Sequence, residues 1–212
     1  MARAGDAPDA RAPQAGPTLQ GRKILVALGG GIACYKTATL VSRLVQHGAD
    51  VRVLMTQAAT RFITPLTLQS LSGHPVLTTP WESDDRPDAQ HVGLARWCDL
   101  MILAPATADL IARIAHGLCD DVVSLTACAL PRSTPVLLAP AMNEQMWENP
   151  LTQRNLQTLR EVLGYQTVGP ESGWQACRTS GAGRMSEPDA ILAAAQRMLA
   201  EKVAQPAGDG GA

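Results

Sequence analysis

Five short, largely apolar runs constrain this chain more than any other feature in it. Lys23–Leu28, Val51–Met55, Leu100–Ala104, Pro135–Ala139 and Tyr165–Val168 are each four to six residues long, too short for stable helices but the right length for strands. Segments with helical spacing of apolar residues alternate with them: Ile32–His47, Pro65–Leu71, Thr107–His116, Asp120–Leu130, Leu151–Leu163 and, after the last run, Ala190–Val203. Gly48, Gly73 and Gly164 stand where helices would stop. A strand apolar along its whole length offers an apolar side chain to both faces of its sheet, so both faces must be covered. Alternation of such strands with helices predicts an α/β fold: a Rossmann-like open parallel sheet with helices on both faces, in a single domain.

The ends of the chain read differently. Residues 1–20 and 204–212 are rich in Ala, Pro and Gly and lack periodicity, which predicts an unstructured N-terminal extension and tail around an ordered 21–203. The N-terminus has no apolar signal core, and no run in the chain is long enough to span a bilayer. Net charge is −1 and the arginines are scattered, which gives no footprint for nucleic acid. Five cysteines form no CxxC pair and no metal-ligand spacing with the four histidines. Cys34, Cys98, Cys119 and Cys128 sit among apolar neighbours and read as small hydrophobes. Free thiols in odd number suit a reducing compartment, hence the cytoplasm.

In open parallel sheets ligands bind beyond the carboxyl ends of the strands, so the residues following each run carry the functional reading. Gly29-Gly30-Gly31-Ile32-Ala33 follows the first. It is either a plain β-to-α turn or a cradle in which backbone amides at a helix start meet a phosphate. The dinucleotide pattern GxGxxG fails because Cys34 stands at its third glycine, so a mononucleotide fits better. Thr56, after the second run, suits a phosphate or ribityl oxygen, or caps a helix. Thr107, Ala108 and Asp109, after the third, offer the same two roles. Pro140-Ala141-Met142-Asn143, after the fourth, suits a flat aromatic ligand beside a carboxylate-binding amide, with a helix cap by Asn143 as the alternative. After the fifth comes Pro170–Ser186, a segment of glycines and small polar residues with Cys177 at its centre and almost nothing to build a core. It reads as a long loop, either a lid carrying a reactive thiol or a surface loop with an incidental one. His91 stands apart, at the start of a short helix, where an imidazole can titrate near neutral pH; His47, His74 and His116 fall at helix ends or turns.

Taken in order, five of these segments resemble the homo-oligomeric flavin-containing cysteine decarboxylases. They are Gly30-Gly31-Ile32-Ala33 with Tyr35-Lys36; His91; Ala104-Pro105-Ala106-Thr107-Ala108-Asp109; Pro140-Ala141-Met142-Asn143; and Ala176-Cys177 with Gly181-x-Gly183-Arg184-Met185. The resemblance covers about residues 22–200 and implies FMN as cofactor. It implies decarboxylation of 4′-phosphopantothenoylcysteine in coenzyme A biosynthesis, through a thioaldehyde and an enethiolate. By the same resemblance Gly30, Gly31, Ile32, Thr56, Thr107, Ala108, Ala141 and Met142 contact the cofactor. Asn143, Ala176 and Arg184 contact the substrate. His91, Asn143 and Cys177 carry the catalysis, with His91 the base and Cys177 the proton donor on a closing flap. Members assemble as trimers or dodecamers, with the flavin near a subunit interface across which His91 would reach. Arg178-Thr179-Ser180 depart from the family pattern, which has Gly-Asp and an apolar residue there, so a different turn is expected. Bacterial relatives continue into a ligase domain, which makes this chain a stand-alone decarboxylase or one cut at the linker. A flavin prenyltransferase, a peptidyl-cysteine decarboxylase and a non-catalytic regulatory subunit share the fold and are the alternatives.

Overall fold

The computed structural model describes residues 19–81 and 90–204. Five parallel strands form the central sheet: β1 (Lys23–Leu28), β2 (Asp50–Met55), β3 (Leu100–Ala106), β4 (Val136–Pro140) and β5 (Gln166–Thr167), in the order β2-β1-β3-β4-β5. Lys23 lies opposite Asp50, Ile24 opposite Leu100, Met101 opposite Val136 and Leu138 opposite Thr167. The apolar runs divide by alternation. Ile24, Val26 and Leu28 point into one core and Leu25 and Ala27 into the other. The first core is closed by α1 (Cys34–Gln46), α2 (Pro65–Ser72) and α8 (Pro188–Ala204), through Leu40, Leu44, Leu68, Ile191 and Ala195. The second is closed by α3 (Gln90–Trp97), α4 (Ala108–Ala115), α5 (Val122–Cys128) and α7 (Pro150–Leu163), through Leu94, Leu110, Ile111, Val123 and Leu156. A fully buried leucine is worth about 1.5–3 kcal/mol over an exposed one, so the apolar runs specify the two-sided sheet.

Helix ends follow local chemistry. Thr107 caps α4 by accepting from the Leu110 amide at 3.3 Å, and Asp121 caps α5 by accepting from Val123 and Ser124 at 2.8 and 3.0 Å. Asn149 accepts from Leu151 at 2.9 Å ahead of α7, which has Pro150 in its first turn. Gly73 and Gly164 end α2 and α7 at φ 75° and 71°, in the left-handed region that glycine enters without steric cost.

Three expectations need correction. The segment after the fifth run is a hairpin rather than a loop: β6 (Glu171–Trp174) pairs antiparallel with β7 (Ser180–Arg184). Its strands carry no apolar alternation because they close no core. Leu19, placed by its sequence in the N-terminal extension, is buried against the core, and its amide donates to the His47 carbonyl at 3.1 Å. The rest of the expected unstructured segments lies outside the described residues, save Gln20 and the final residue of α8. Cys119 and Cys128 are exposed, in the turn before α5 and at its last residue; only Cys34 and Cys98 are buried. No described helix is long and apolar enough to cross a membrane.

Candidate active site

The chain leaves β1, forms β2 on one side of it, then crosses back to form β3 on the other. The loops after β1 and β3 therefore splay apart at their far ends and open a crevice, the usual ligand position in such sheets. At its base the two loops touch: the Gly29 amide donates to the Pro105 carbonyl at 3.0 Å, and a Cβ on Gly29 would lie 2.8 Å from that oxygen. Only glycine permits this approach.

Above it lies a cavity of about 1150 Å³. That exceeds the roughly 300–1,000 Å³ of a typical small-molecule pocket and leaves room for a cofactor and a substrate together. Of the residues singled out from the sequence, Gly30, Gly31, Ile32, Thr107, Ala108, Ala141, Met142, Asn143, Ala176, Cys177 and Arg184 all line it. Two do not. Thr56 is buried beside a 3₁₀ turn (Ala59–Arg61), where its hydroxyl accepts from the Ala59 amide at 3.2 Å. His91 lies in the first turn of α3, away from this cavity.

The walls suit an anion with an apolar body. Among the described residues, the amides of Gly30, Gly31 and Ile32, just ahead of α1, have no protein acceptor, nor do those of Ala108 and Asp109 at the start of α4. Two helix N-termini thus face one cavity with free donors, which fits a phosphate. Ala141 and Met142 supply apolar surface beside them. Asn143 caps α6 (Glu144–Glu148), its Oδ1 accepting from the Met146 amide at 2.8 Å. That leaves Nδ2 as a donor for a carboxylate. Capping and ligand binding, alternatives in the sequence, are compatible in both Thr107 and Asn143.

The hairpin closes the cavity from above. The Met142 amide donates to Gly183 O at 2.9 Å, and Gly183, at φ 122°, lies so close to Met142 O that any side chain would collide. Glu144 accepts from the Ala182 amide at 3.2 Å, and its own amide donates to Gln175 Oε1 at 3.2 Å. Gln175, 7% exposed, also donates to Ala182 O at 2.7 Å and Gly181 O at 3.3 Å. One buried amide thus joins both hairpin strands to α6. At the tip, Cys177 Sγ lies 3.0 Å from Thr179 Oγ1 and 3.5 Å from Gln175 Oε1. Arg178 between them has φ 65°, the only positive φ at a non-glycine among the described residues. A left-handed non-glycine costs about 1–2 kcal/mol.

The hairpin's base is held by charge. Lys36, buried in α1, donates from Nζ to Met185 O at 2.7 Å and to Glu187 at 3.0 Å, and Arg184 also pairs with Glu187. Lys36 and then Arg184 hold the Glu187 carboxyl below its ordinary range. Gln175, Glu144, Thr179 and Arg178 are residues that the sequence reading assigns no role in the site, and Lys36, quoted there in a motif, is given none either. Their only sequence signal is adjacency to residues that it does select. No cluster of three or more metal-ligating side chains occurs among the described residues.

Comparison with known proteins agrees with this geometry. The Flavoprotein family matches residues 14–200. The chain is 50% identical over 186 residues to the coenzyme A biosynthesis bifunctional protein CoaBC of Vibrio cholerae serotype O1, covering 88% of this chain and 46% of that protein. It thus spans about half the length of the curated relatives it matches. It superposes on a PPC decarboxylase mutant complexed with pantothenoylaminoethenethiol with a TM-score of 0.76 and 30% identity, covering 86% of this chain and 100% of that one. For the FMN binding protein AtHal3 the TM-score is 0.74 and the identity 31%, over 88% of this chain and 100% of that one.

Proposed function

The chain belongs to the flavoprotein family, and on that premise we propose that it decarboxylates 4′-phosphopantothenoylcysteine to 4′-phosphopantetheine with FMN, in the cytoplasm, as a step in coenzyme A biosynthesis. One observation carries the reading. A single cavity holds free helix-terminal amides, the unpaired amide nitrogen of Asn143 and, on a hairpin docked across it, the thiol of Cys177. The residues suit FMN: amides of Gly30, Gly31 and Ile32 for the phosphate, the Thr107–Ala108 helix start beside them, and Ala141 and Met142 for the apolar ring. When bound, FMN accepts two electrons from the substrate's thiol-bearing carbon and later returns them, so that loss of CO₂ leaves a carbanion stabilised by the neighbouring C=S group.

The chain's own groups do the rest. Asn143 Nδ2 donates to the substrate carboxylate and fixes the bond to be broken. Cys177 Sγ gives a proton to the enethiolate formed by CO₂ loss. Thr179 Oγ1 and Gln175 Oε1 orient that sulfur, and the Thr179 hydroxyl can donate to the thiolate left behind. The docked hairpin excludes water from the reactive intermediate. His91 acts as base from a second copy of the chain. That assignment accords with its absence from the lining of its own chain's cavity and with an exposed apolar rim, where Ile32 is 60%, Tyr35 62% and Trp174 67% exposed. A homo-oligomer, trimer or dodecamer, would cover this rim. The test is direct: FMN-loaded protein should release CO₂ from 4′-phosphopantothenoylcysteine, and loaded protein that releases none would sink the reading.

A further inference from the structure

Three cationic side chains line the cavity among the described residues: Lys36, Arg178 and Arg184. Two are already engaged. Lys36 and Arg184 both pair with Glu187, and Lys36 also donates to the Met185 carbonyl. The guanidinium of Arg178 has no partner among the described residues. It projects from the exposed hairpin tip, one residue from the donor thiol, and only its backbone amide is bonded, to Gln175 O at 2.9 Å. Its backbone is also left-handed, a conformation that glycine would adopt freely at a turn this tight. A long, free cation is therefore held, against backbone preference, over the mouth of a ligand cavity. An observed outlier of this kind points to function rather than to fold.

We propose that Arg178 binds a phosphomonoester, the terminal phosphate of the substrate. This rests on the substrate reading above. That substrate carries two anionic groups at opposite ends. Asn143 serves the carboxylate at the reacting end, beneath the hairpin tip. The phosphate ends a flexible arm that must turn back towards the cavity mouth to be met there, and it needs a second, mobile donor. A long guanidinium side chain at the mouth supplies it, with a planar fork that matches phosphate oxygens two at a time. The cofactor is the other possible source of a phosphomonoester, but the free amides ahead of α1 already provide for its phosphate. Arg178 thus acts in substrate selection, favouring phosphorylated over unphosphorylated pantothenoylcysteine.

Arg178→Gly is the informative variant, because glycine suits the observed φ and the hairpin should keep its fold. The quantity to measure is the ratio of kcat/KM for 4′-phosphopantothenoylcysteine over pantothenoylcysteine. It should fall by about 10- to 100-fold in the variant, the scale of a charge-assisted hydrogen bond, chiefly through KM. An unchanged ratio overturns the proposal. So does a loss that appears instead as weakened binding of FMN relative to riboflavin. Calorimetric binding of 4′-phosphopantetheine and pantetheine to the FMN-loaded protein reads the same contact without turnover. There, a phosphate preference present in the wild type and lost in Arg178→Gly supports the proposal, even if wild-type protein releases no CO₂ and the decarboxylase reading fails. A preference that survives in the variant, or is absent from the wild type, overturns it.

Discussion

Cys177 differs from the chain's buried thiols in its surroundings. Its sulfur meets a hydroxyl and an amide oxygen at the tip of an exposed hairpin. Cys34 and Cys98 are packed in the two cores, and burial pushes both thiols up, Cys98 to about 11. A thiol must ionise to react with an alkylating agent. At pH 8, iodoacetamide followed by peptide mass spectrometry should therefore label Cys177 well before Cys34 or Cys98. Equal labelling of all three would contradict the packing. Much of the site was legible at this scale because the glycines, Thr107, Met142 and Asn143 stand just after strands, and Cys177 stands at the centre of a segment with almost nothing to build a core. Thr179 and Gln175 were not. A lone threonine or glutamine carries no signal until the hairpin folds it against the thiol. Thr56 was open to two readings, a ligand contact or a cap, and its hydroxyl caps a turn outside the cavity lining.

The hairpin is the element that sequence patterning misses, and the reason is physical. Its strands are held by hydrogen bonds to α6 and by glycines that allow close approach, not by apolar side chains with a period of two. Its base depends on Glu187. Interaction with Lys36 and then Arg184 holds the Glu187 carboxyl below its usual 4.5. The folded value is then lower than the unfolded one, so the stabilisation is complete above about pH 4.5 and is lost as pH falls through the folded value. Hydrogen-exchange protection of residues 180–187 should fall on acidification below that point. A Glu187→Gln protein should start with lower protection there and lose little more. If wild type and variant respond identically to acid, the charged hinge is wrong. Half-exposure of Glu187 keeps the effect modest.

At the scale of the whole molecule, the two-sided parallel sheet follows from the apolar runs, since β1 to β4 bury side chains on both faces. The proposal that a second copy covers the apolar rim and supplies His91 has a measurable consequence. His91→Asn should keep FMN yet lose decarboxylation, and Cys177→Ser should lose the final protonation. If His91 comes from a neighbour, co-expressing the two variants, neither of which completes the reaction alone, should restore part of the 4′-phosphopantetheine formation, because some mixed interfaces then pair an intact His91 with an intact Cys177. Mixed oligomers without activity would place both residues on one chain or remove His91 from the reaction. The most direct measurement of all is made on the Cys177→Ser protein alone. Loaded with FMN and given 4′-phosphopantothenoylcysteine, it should release CO₂ and accumulate a product lighter than 4′-phosphopantetheine by two hydrogens. Formation of 4′-phosphopantetheine itself at the wild-type rate would contradict the role of the hairpin thiol.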